Sequence, residues 1–263
     1  MSKLRLSVVQ YLNTVPLIWG MQHGKEQGKF DLNFTTPAEC ADAIRDGAAG
    51  AGIIPSIELQ RIENLQVITG VSISSLERVK SVVLLSKKPI EQITSVALDT
   101  SSRTSAVLVE ILLKKFYKLK PRIAPANPDP EKMLEKADAG LLIGDPALAL
   151  GGTRALVYDL AAEWKKFTGL PFVFALWAGP QSARLKEVSL DFQESRDYGL
   201  ARVDDIAEEY APRCGMTPGE VKIYLTRNIN YNLDDKQREG LDLFYHLARE
   251  QGLIPGVREL NFV

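Results

Sequence analysis

The sequence contains little cysteine and little histidine, the residues that most often build disulfides and metal centres. Its 263 residues include two of each. Cys40 and Cys214 lack a Cys-x-x-Cys spacing, and neither His23 nor His246 has a second ligand at metal-binding spacing. Glycine-rich loops for dinucleotides or phosphates and a Gly-x-Ser-x-Gly elbow are missing as well. We therefore expect reduced thiols, no metal and no cofactor.

An excess of one charge and a long apolar run are also missing. The formal net charge is −1, which argues against nucleic-acid binding. No apolar run approaches the roughly 18 residues of a membrane span, and the first residues lead into an apolar strand without the pattern of a signal peptide. We expect a cytoplasmic protein whose partner is a small molecule, not a nucleic acid or a membrane. The oligomeric state stays open.

The chain instead repeats one unit: a short apolar strand, a turn of small or polar residues, and a helix. This alternation predicts an α/β fold with mostly parallel sheets and flanking helices. The rhythm breaks at Ser81–Leu85 and Val173–Trp177, which we interpret as crossings between two lobes. Residues 1–86 and 177–263 would form lobe I, and residues 87–176 would form lobe II. This is the two-lobed topology of type II periplasmic-binding-protein folds, with a cleft between the lobes.

Four strand-to-helix junctions have an unusual composition. Ligands of open α/β sheets bind beyond the carboxyl ends of the strands, where helix N-termini favour anions. Two junctions belong to each predicted lobe, so all four can face one cleft. They are Tyr11-Leu12-Asn13-Thr14, Ile54-Pro55-Ser56, Thr100-Ser101-Ser102-Arg103-Thr104-Ser105 and Gly144-Asp145-Pro146.

The third junction is the most informative, because five of the six residues from Thr100 to Ser105 carry hydroxyl groups. Helix capping needs one or two of them, so we interpret the cluster as a carboxylate cradle. Arg103 either reaches the ligand or points to solvent.

Other polar residues have two readings each. Asn13 is either a turn residue or a ligand contact, and Ser81 either faces the cleft or bonds its neighbour. Asp145 either caps its helix or touches substrate, and Asp99 is similarly ambiguous.

The ordered set of motifs resembles the chorismate dehydratases of the futalosine route to menaquinone. Each motif is weak alone, but together they span residues 11 to 178 in order. They are Tyr11-Leu12-Asn13-Thr14-Val15-Pro16-Leu17, Ile54-Pro55-Ser56-Ile57-Glu58, Val79-Lys80-Ser81-Val82, Leu98-Asp99-Thr100-Ser101-Ser102-Arg103-Thr104-Ser105, Leu142-Ile143-Gly144-Asp145, and Trp164 with Thr168-Gly169-Leu170-Pro171-Phe172-Val173-Phe174-Ala175.

The resemblance implies conversion of chorismate to 3-[(1-carboxyvinyl)oxy]benzoate with loss of water. It places Asn13 and Ser81 in the active site, and we add Asp145 as a candidate base that competes with the substrate's own enolpyruvyl carboxylate. The candidate substrate-binding residues are Tyr11, Ser56, Ser101, Arg103, Thr104, Ser105, Gly144 and Phe172. A sister enzyme that makes 1,4-dihydroxy-6-naphthoate usually opens with a Ser-Pro-Cys-Pro-Asn-Asp-like motif, which is missing here. A non-catalytic binding or sensing protein is the alternative from another class.

Overall fold

The computed structural model describes residues 3–263 and contains two β-sheets. The first sheet has six strands in the order β11-β4-β10-β3-β1-β2. Its strands are β1 (Leu4–Val9), β2 (Phe30–Thr35), β3 (Ala51–Pro55), β4 (Leu65–Ser75), β10 (Phe172–Pro180) and β11 (Asn261–Phe262).

The second sheet has five strands in the order β7-β6-β8-β5-β9. Its strands are β5 (Val82–Ser86), β6 (Ser95–Asp99), β7 (Arg122–Ala126), β8 (Ala139–Ile143) and β9 (Leu156–Asp159). Both β5 and β8 are buried along their whole length, as expected for central strands covered on both faces.

Both sheets are mixed, whereas the sequence analysis predicted mostly parallel sheets. In the first sheet β1 runs parallel to β2 and β3, but β10 runs antiparallel to β3 and β4. In the second sheet β5 runs antiparallel to β8 and β9. Strands β5 and β10 are each the first strand after the chain has passed from one sheet to the other. A βαβ crossover places two consecutive strands of one sheet parallel to each other, and no such crossover leads directly into β5 or β10.

Helices cover the sheets and end the chain. They are α1 (Val15–His23), α2 (Pro37–Arg45), α3 (Arg103–Ile111), α4 (Pro130–Lys136), α5 (Gly144–Leu148), α6 (Leu160–Thr168), α7 (Leu185–Leu200), α8 (Val203–Cys214), α9 (Pro218–Ile223) and α10 (Asp235–Glu250). Within residues 3–263, no helix combines the length and apolar character needed to cross a bilayer.

Local sequence fixes the start of several helices. Helix α2 begins with a capping box in which the Thr36 hydroxyl and the Glu39 carboxylate each accept a backbone N–H of the other residue. Asp159 accepts the N–H groups of Ala161 and Ala162 and so begins α6. The residue pattern over Leu156–Lys166 alone predicts a single helix, and this cap explains why that prediction is wrong at its start, where residues 156–159 form β9. The short strands β7 and β11 were not predicted.

The chain passes between the sheets through residues 76–81 and 160–171. The predicted crossings Ser81–Leu85 and Val173–Trp177 lie almost entirely within β5 and β10. Strand β5 pairs only with second-sheet strands and β10 only with first-sheet strands, so each predicted crossing belongs to a single sheet. The lobe limits of 1–86, 87–176 and 177–263 stay a prediction. Sheet membership favours shifting both limits a few residues toward the N-terminus.

Aromatic packing attaches the C-terminal helices to the first sheet. Phe244 of α10 lies 5.0 Å from Phe172 of β10 and 6.3 Å from Trp164 of α6, measured between ring centroids. The Trp164 indole N–H donates to the carbonyl of Pro171 at 3.1 Å, which satisfies the polar end of this buried ring. This cluster holds α6, β10 and α10 together behind the cleft.

Candidate functional site

A cavity lies between the two sheets, where all four predicted junctions meet. Its volume is about 60 Å³. It is therefore a narrow cavity with largely apolar walls. Its lining comprises Val9, Tyr11, Asn13, Pro37, Pro55, Ile73, Val79, Val82, Ser102, Arg103, Thr104, Ser105, Ile143, Gly144, Phe174 and Ala175.

The N-terminus of α3 faces this cavity. Ser102 is the N-cap residue and makes no side-chain cap hydrogen bond, although it is almost completely buried. Ser105, one turn later, is also buried and lines the cavity. The first N–H groups of a helix have no partner within the helix, and its dipole favours negative charge there. Ser102, Ser105 and these N–H groups together fit a carboxylate.

Thr104 lines the cavity, but its hydroxyl group is engaged by other groups of the protein. Its hydroxyl oxygen accepts the backbone N–H of Ile57 at 3.2 Å and lies 3.4 Å from the Ser56 hydroxyl. Ser56 in turn donates to the carbonyl of Val173 at 2.8 Å. Ser56 and Thr104 therefore join α3 to the first sheet, which leaves Ser102 and Ser105 as the hydroxyls of the cradle.

The side chain of Arg103 is bound by two carboxylates. It donates to both oxygens of Asp42, at 2.9 and 2.7 Å, and to Oε2 of Glu58 at 3.1 Å. Glu58 is completely buried and also pairs with Arg45 and Arg61. Because Asp42 and Glu58 belong to the first-sheet side, Arg103 connects the two sides of the cleft. Arg103 also lines the cavity, so contact with a ligand stays a prediction, while the carboxylates hold its guanidinium group in place.

Tyr11 forms one wall and packs against Gly144. Gly144 has a φ of +64°, and a Cβ atom placed on it would lie 2.6 Å from the Tyr11 ring, so this contact requires glycine. Ser101 lies behind Tyr11 and donates its N–H and its hydroxyl to Oδ1 of Asp99, at 2.8 and 2.7 Å. Burial raises the pKa of Tyr11, a hydrogen bond with Ser101 opposes the rise, and burial also raises the pKa of Asp99.

Asn13 and Ser81 converge on a third polar side chain, Tyr224. The Tyr224 hydroxyl donates to Oγ of Ser81 at 2.8 Å. Burial raises the pKa of Tyr224, and hydrogen bonds with Ser81 and Asn13 oppose that rise. Asn13 lines the cavity, whereas Ser81 is completely buried beside the lining residues Val79 and Val82.

Asp145 lies outside the lining of this cavity. Its Oδ1 accepts the backbone N–H of Leu12 at 3.0 Å, which ties α5 to the turn after β1. It lines a neighbouring surface pocket with Arg213 and Cys214, and that pocket shares Val9 and Tyr11 with the cavity. Burial raises the pKa of Asp145, and the Leu12 N–H opposes the rise. Asp145 does not cap its own helix, because the N-cap of α5 is Ile143 and no side-chain cap bond is made there.

Phe172 also lies away from the cavity, in the aromatic cluster with Trp164 and Phe244. Phe174, two residues along β10, lines the cavity instead. Of the predicted site residues, the structure thus brings six to the cavity wall, places Ser56, Ser81 and Ser101 close behind it, and sets Asp145 and Phe172 apart. The six are Tyr11, Asn13, Arg103, Thr104, Ser105 and Gly144.

Sequence reasoning missed Tyr224, Phe174 and the carboxylates that bind Arg103. The sequence could have indicated Phe174, because it lies in the same motif as Phe172. No sequence pattern indicates Tyr224, because it lies in the C-terminal helices and is 143 residues from Ser81.

The part of the chain from residue 3 onward has one group of three acidic side chains close enough to hold a metal ion: Glu26, Asp191 and Glu194. Lys29 pairs with Asp191 at 2.7 Å and Lys25 pairs with Glu194 at 2.6 Å. The group is far from the cavity lining in the fold and is already bridged by lysines. The two cysteines, Cys40 and Cys214, are free.

Comparison with solved structures defines the fold. A protein from Archaeoglobus fulgidus superposes with a TM-score of 0.76 at 17% identity, over 96% of this chain and 98% of that one. The periplasmic aliphatic sulphonate binding protein of Escherichia coli superposes with a TM-score of 0.64 at 14% identity, over 99% and 90%. The predicted periplasmic-binding-protein-like fold is confirmed.

Comparison of sequences defines the family. A protein named chorismate dehydratase from Thermus thermophilus is 31% identical over 91% of this chain and 93% of its own length. A second protein of that name, from Campylobacter jejuni, is 30% identical over 93% and 97%. The family model described as menaquinone biosynthesis matches residues 4–250. The chain therefore belongs to the menaquinone biosynthesis family and is related to proteins named chorismate dehydratase.

Proposed function

We propose that this protein is a chorismate dehydratase, a hydro-lyase that converts chorismate to 3-[(1-carboxyvinyl)oxy]benzoate. The observation that carries the proposal is the relationship to two proteins of that name at 30–31% identity over more than nine-tenths of the chain. The cavity supports it, because a narrow apolar space with a helix N-terminus suits a small aromatic-like carboxylate. A role in menaquinone biosynthesis also supports the expected cytoplasmic location.

The reaction needs little acid–base machinery from the protein. Loss of the proton at the ether carbon and of the neighbouring hydroxyl makes the ring aromatic. That proton is vinylogous to the ring carboxylate, so its removal spreads negative charge into the carboxylate. We place the ring carboxylate on Ser102, Ser105 and the N-terminus of α3, where hydrogen bonds and the helix dipole stabilise the developing charge.

The enolpyruvyl carboxylate of the substrate is our candidate base. Within residues 3–263 the cavity lining contains no histidine, lysine, aspartate or glutamate. Asp145 is engaged by the Leu12 N–H and lines a different pocket. Asn13, which lines the cavity, and Ser81 behind it are placed to orient the side-chain carboxylate and the leaving hydroxyl. Catalysis is then mainly positioning of the folded substrate.

Incubation of the purified protein with chorismate tests the proposal. Proton NMR should show the ring protons of chorismate replaced by aromatic signals, and mass spectrometry should show a product lighter by one water. Asn13→Ala serves as the control for trace contaminants and should lose most of the activity. Binding of chorismate without any turnover would support the alternative of a binding or sensing protein.

A further inference from the structure

Tyr224 is the buried residue through which the two candidate catalytic side chains meet. It begins a π-helical turn, Tyr224–Asn228, that continues α9, and its side chain is 1% exposed. Such turns are rare and are found frequently at functional sites. Its hydroxyl reaches from the C-terminal helices to Ser81, which lies just before β5 in the segment between the two sheets.

The hydrogen bonds at Tyr224 fix the direction of the neighbouring groups. A phenol has one proton, and Tyr224 donates it to Oγ of Ser81. Asn13 is near enough to the phenol to oppose the rise in the pKa of Tyr224, and only its amide N–H groups can donate to the phenol oxygen. The Asn13 side-chain oxygen accepts the Thr14 hydroxyl at the long distance of 3.4 Å, which leaves an amide N–H for groups in the cavity.

The donor and acceptor roles of the Ser81 hydroxyl can be assigned in the same way. Its oxygen accepts from Tyr224, so its own proton must be donated elsewhere. The protein acceptor within reach is the carbonyl of Val79, at the long distance of 3.4 Å. A closer acceptor, such as the leaving hydroxyl of a bound substrate, would accept the hydrogen bond of Ser81 in place of the Val79 carbonyl.

We propose that Tyr224 is a positioning residue for dehydration, which turns the Ser81 proton and the Asn13 amide toward the substrate. The inference rests on the proposed function, because it gives Ser81 and Asn13 the roles they have there. Tyr224 itself contributes no atom to the cavity lining, so it acts through these two residues. Its burial keeps water from replacing the phenol oxygen.

The variant Tyr224→Phe removes only the hydroxyl and tests the inference. We expect kcat for chorismate to fall about 10- to 100-fold, as is typical when a partner that orients a contact residue is lost. KM should change less than about threefold, because the cradle at α3 is untouched. A purely structural role would instead lower the unfolding temperature and leave kcat per folded molecule unchanged.

Tyr231→Phe is the matched control. Tyr231 is also a buried tyrosine of the C-terminal region, and its hydroxyl has no hydrogen-bond partner among residues 3–263. It should keep the activity of the unaltered protein. If both variants lose activity equally, the effect comes from packing and the inference is wrong.

A double variant separates action through Ser81 from any other action. In a Ser81→Ala background, Tyr224→Phe should cause less than about a threefold further loss, since residues that act as a unit are non-additive. Full additivity of the two losses would overturn the inference. Turnover by the unaltered protein is measured in the same preparation: its absence refutes the proposed function, whereas turnover with an unimpaired Tyr224→Phe refutes only the role of Tyr224.

Discussion

At the scale of single residues, the neighbouring hydroxyls of α3 have different tasks. Thr104 accepts a backbone N–H from the first-sheet side, whereas Ser105 lines the cavity. Both side chains are almost completely buried, so burial alone does not distinguish them. The two residues differ in what their hydroxyl groups contact. A substitution of Ser105 should therefore affect ligand binding, whereas a substitution of Thr104 should affect stability.

Ser105→Ala should weaken chorismate binding about 10- to 100-fold, corresponding to one charge-assisted hydrogen bond of roughly 1.5–3 kcal/mol. Isothermal titration of a product analogue measures this directly. Thr104→Val should mainly lower the free energy of unfolding, by about 1–3 kcal/mol, because the Ile57 N–H loses its acceptor. Unchanged affinity in Ser105→Ala would show that the Ser105 hydroxyl does not bind the carboxylate and would contradict the proposed cradle.

Asp145→Asn tests the choice of base. The asparagine oxygen can still accept the Leu12 N–H, so the fold should persist. We expect kcat to stay within about tenfold of the unaltered value, whereas removal of a general base typically costs about 10²–10⁴-fold. Steady-state kinetics with chorismate decides this. A loss in the larger range with normal binding would make Asp145 the base and exclude deprotonation by the substrate.

At the scale of elements, the contact between α3 and α2 closes one side of the cleft. Arg103 of α3 joins Asp42 of α2 and the buried Glu58 in one network of ion pairs. Buried ion pairs cost much more to break than exposed ones, because the remaining charge stays desolvated.

Arg103→Ala should lower the free energy of unfolding by about 1–3 kcal/mol, less than for an isolated buried pair because Glu58 keeps two other arginines. Arg5→Ala is the control, since Arg5 and Asp31 form a pair at 3.6 Å with both side chains 61% exposed. It should change stability by less than about 1 kcal/mol. Urea unfolding of both variants gives the comparison, and equal small losses would contradict a closing role for Arg103.

The elements that local sequence determines were predicted well. The strand–helix rhythm predicted β1, β3, β6 and β8 and the helix starts that follow them, and all four junctions line one cavity. Contacts between distant segments were not predictable. Arg103 and its partner Asp42 are 61 residues apart, and Tyr224 and Ser81 are 143 apart, so nothing in the local pattern links them. The antiparallel pairing of β5 and β10 was not predictable either, because it depends on how the chain crosses between the sheets.

At the scale of the whole molecule, the structure is a closed form. Several contacts join the two sides of the cleft, among them Leu12 with Asp145, Ile57 with Thr104, and Arg103 with its carboxylates. The space left between them is too narrow for free exchange of a ligand. Ligand entry therefore requires the sides to separate, and closure then excludes water from the reaction.

Small-angle X-ray scattering with and without ligand should detect this motion. The profile at saturating product should match the one calculated from the closed structure, and the ligand-free protein should have a larger radius of gyration. Identical profiles in both states would show a rigid cleft.

The central claim is that chorismate reacts in the cavity between the two sheets. A crystal structure with the product 3-[(1-carboxyvinyl)oxy]benzoate tests it most directly. The account predicts the ring carboxylate within about 3 Å of Ser105 Oγ and the N–H groups that begin α3, with the ether side of the ring toward Asn13. Product bound in the pocket beside Asp145 and Arg213, with the cavity at α3 empty, would contradict the account.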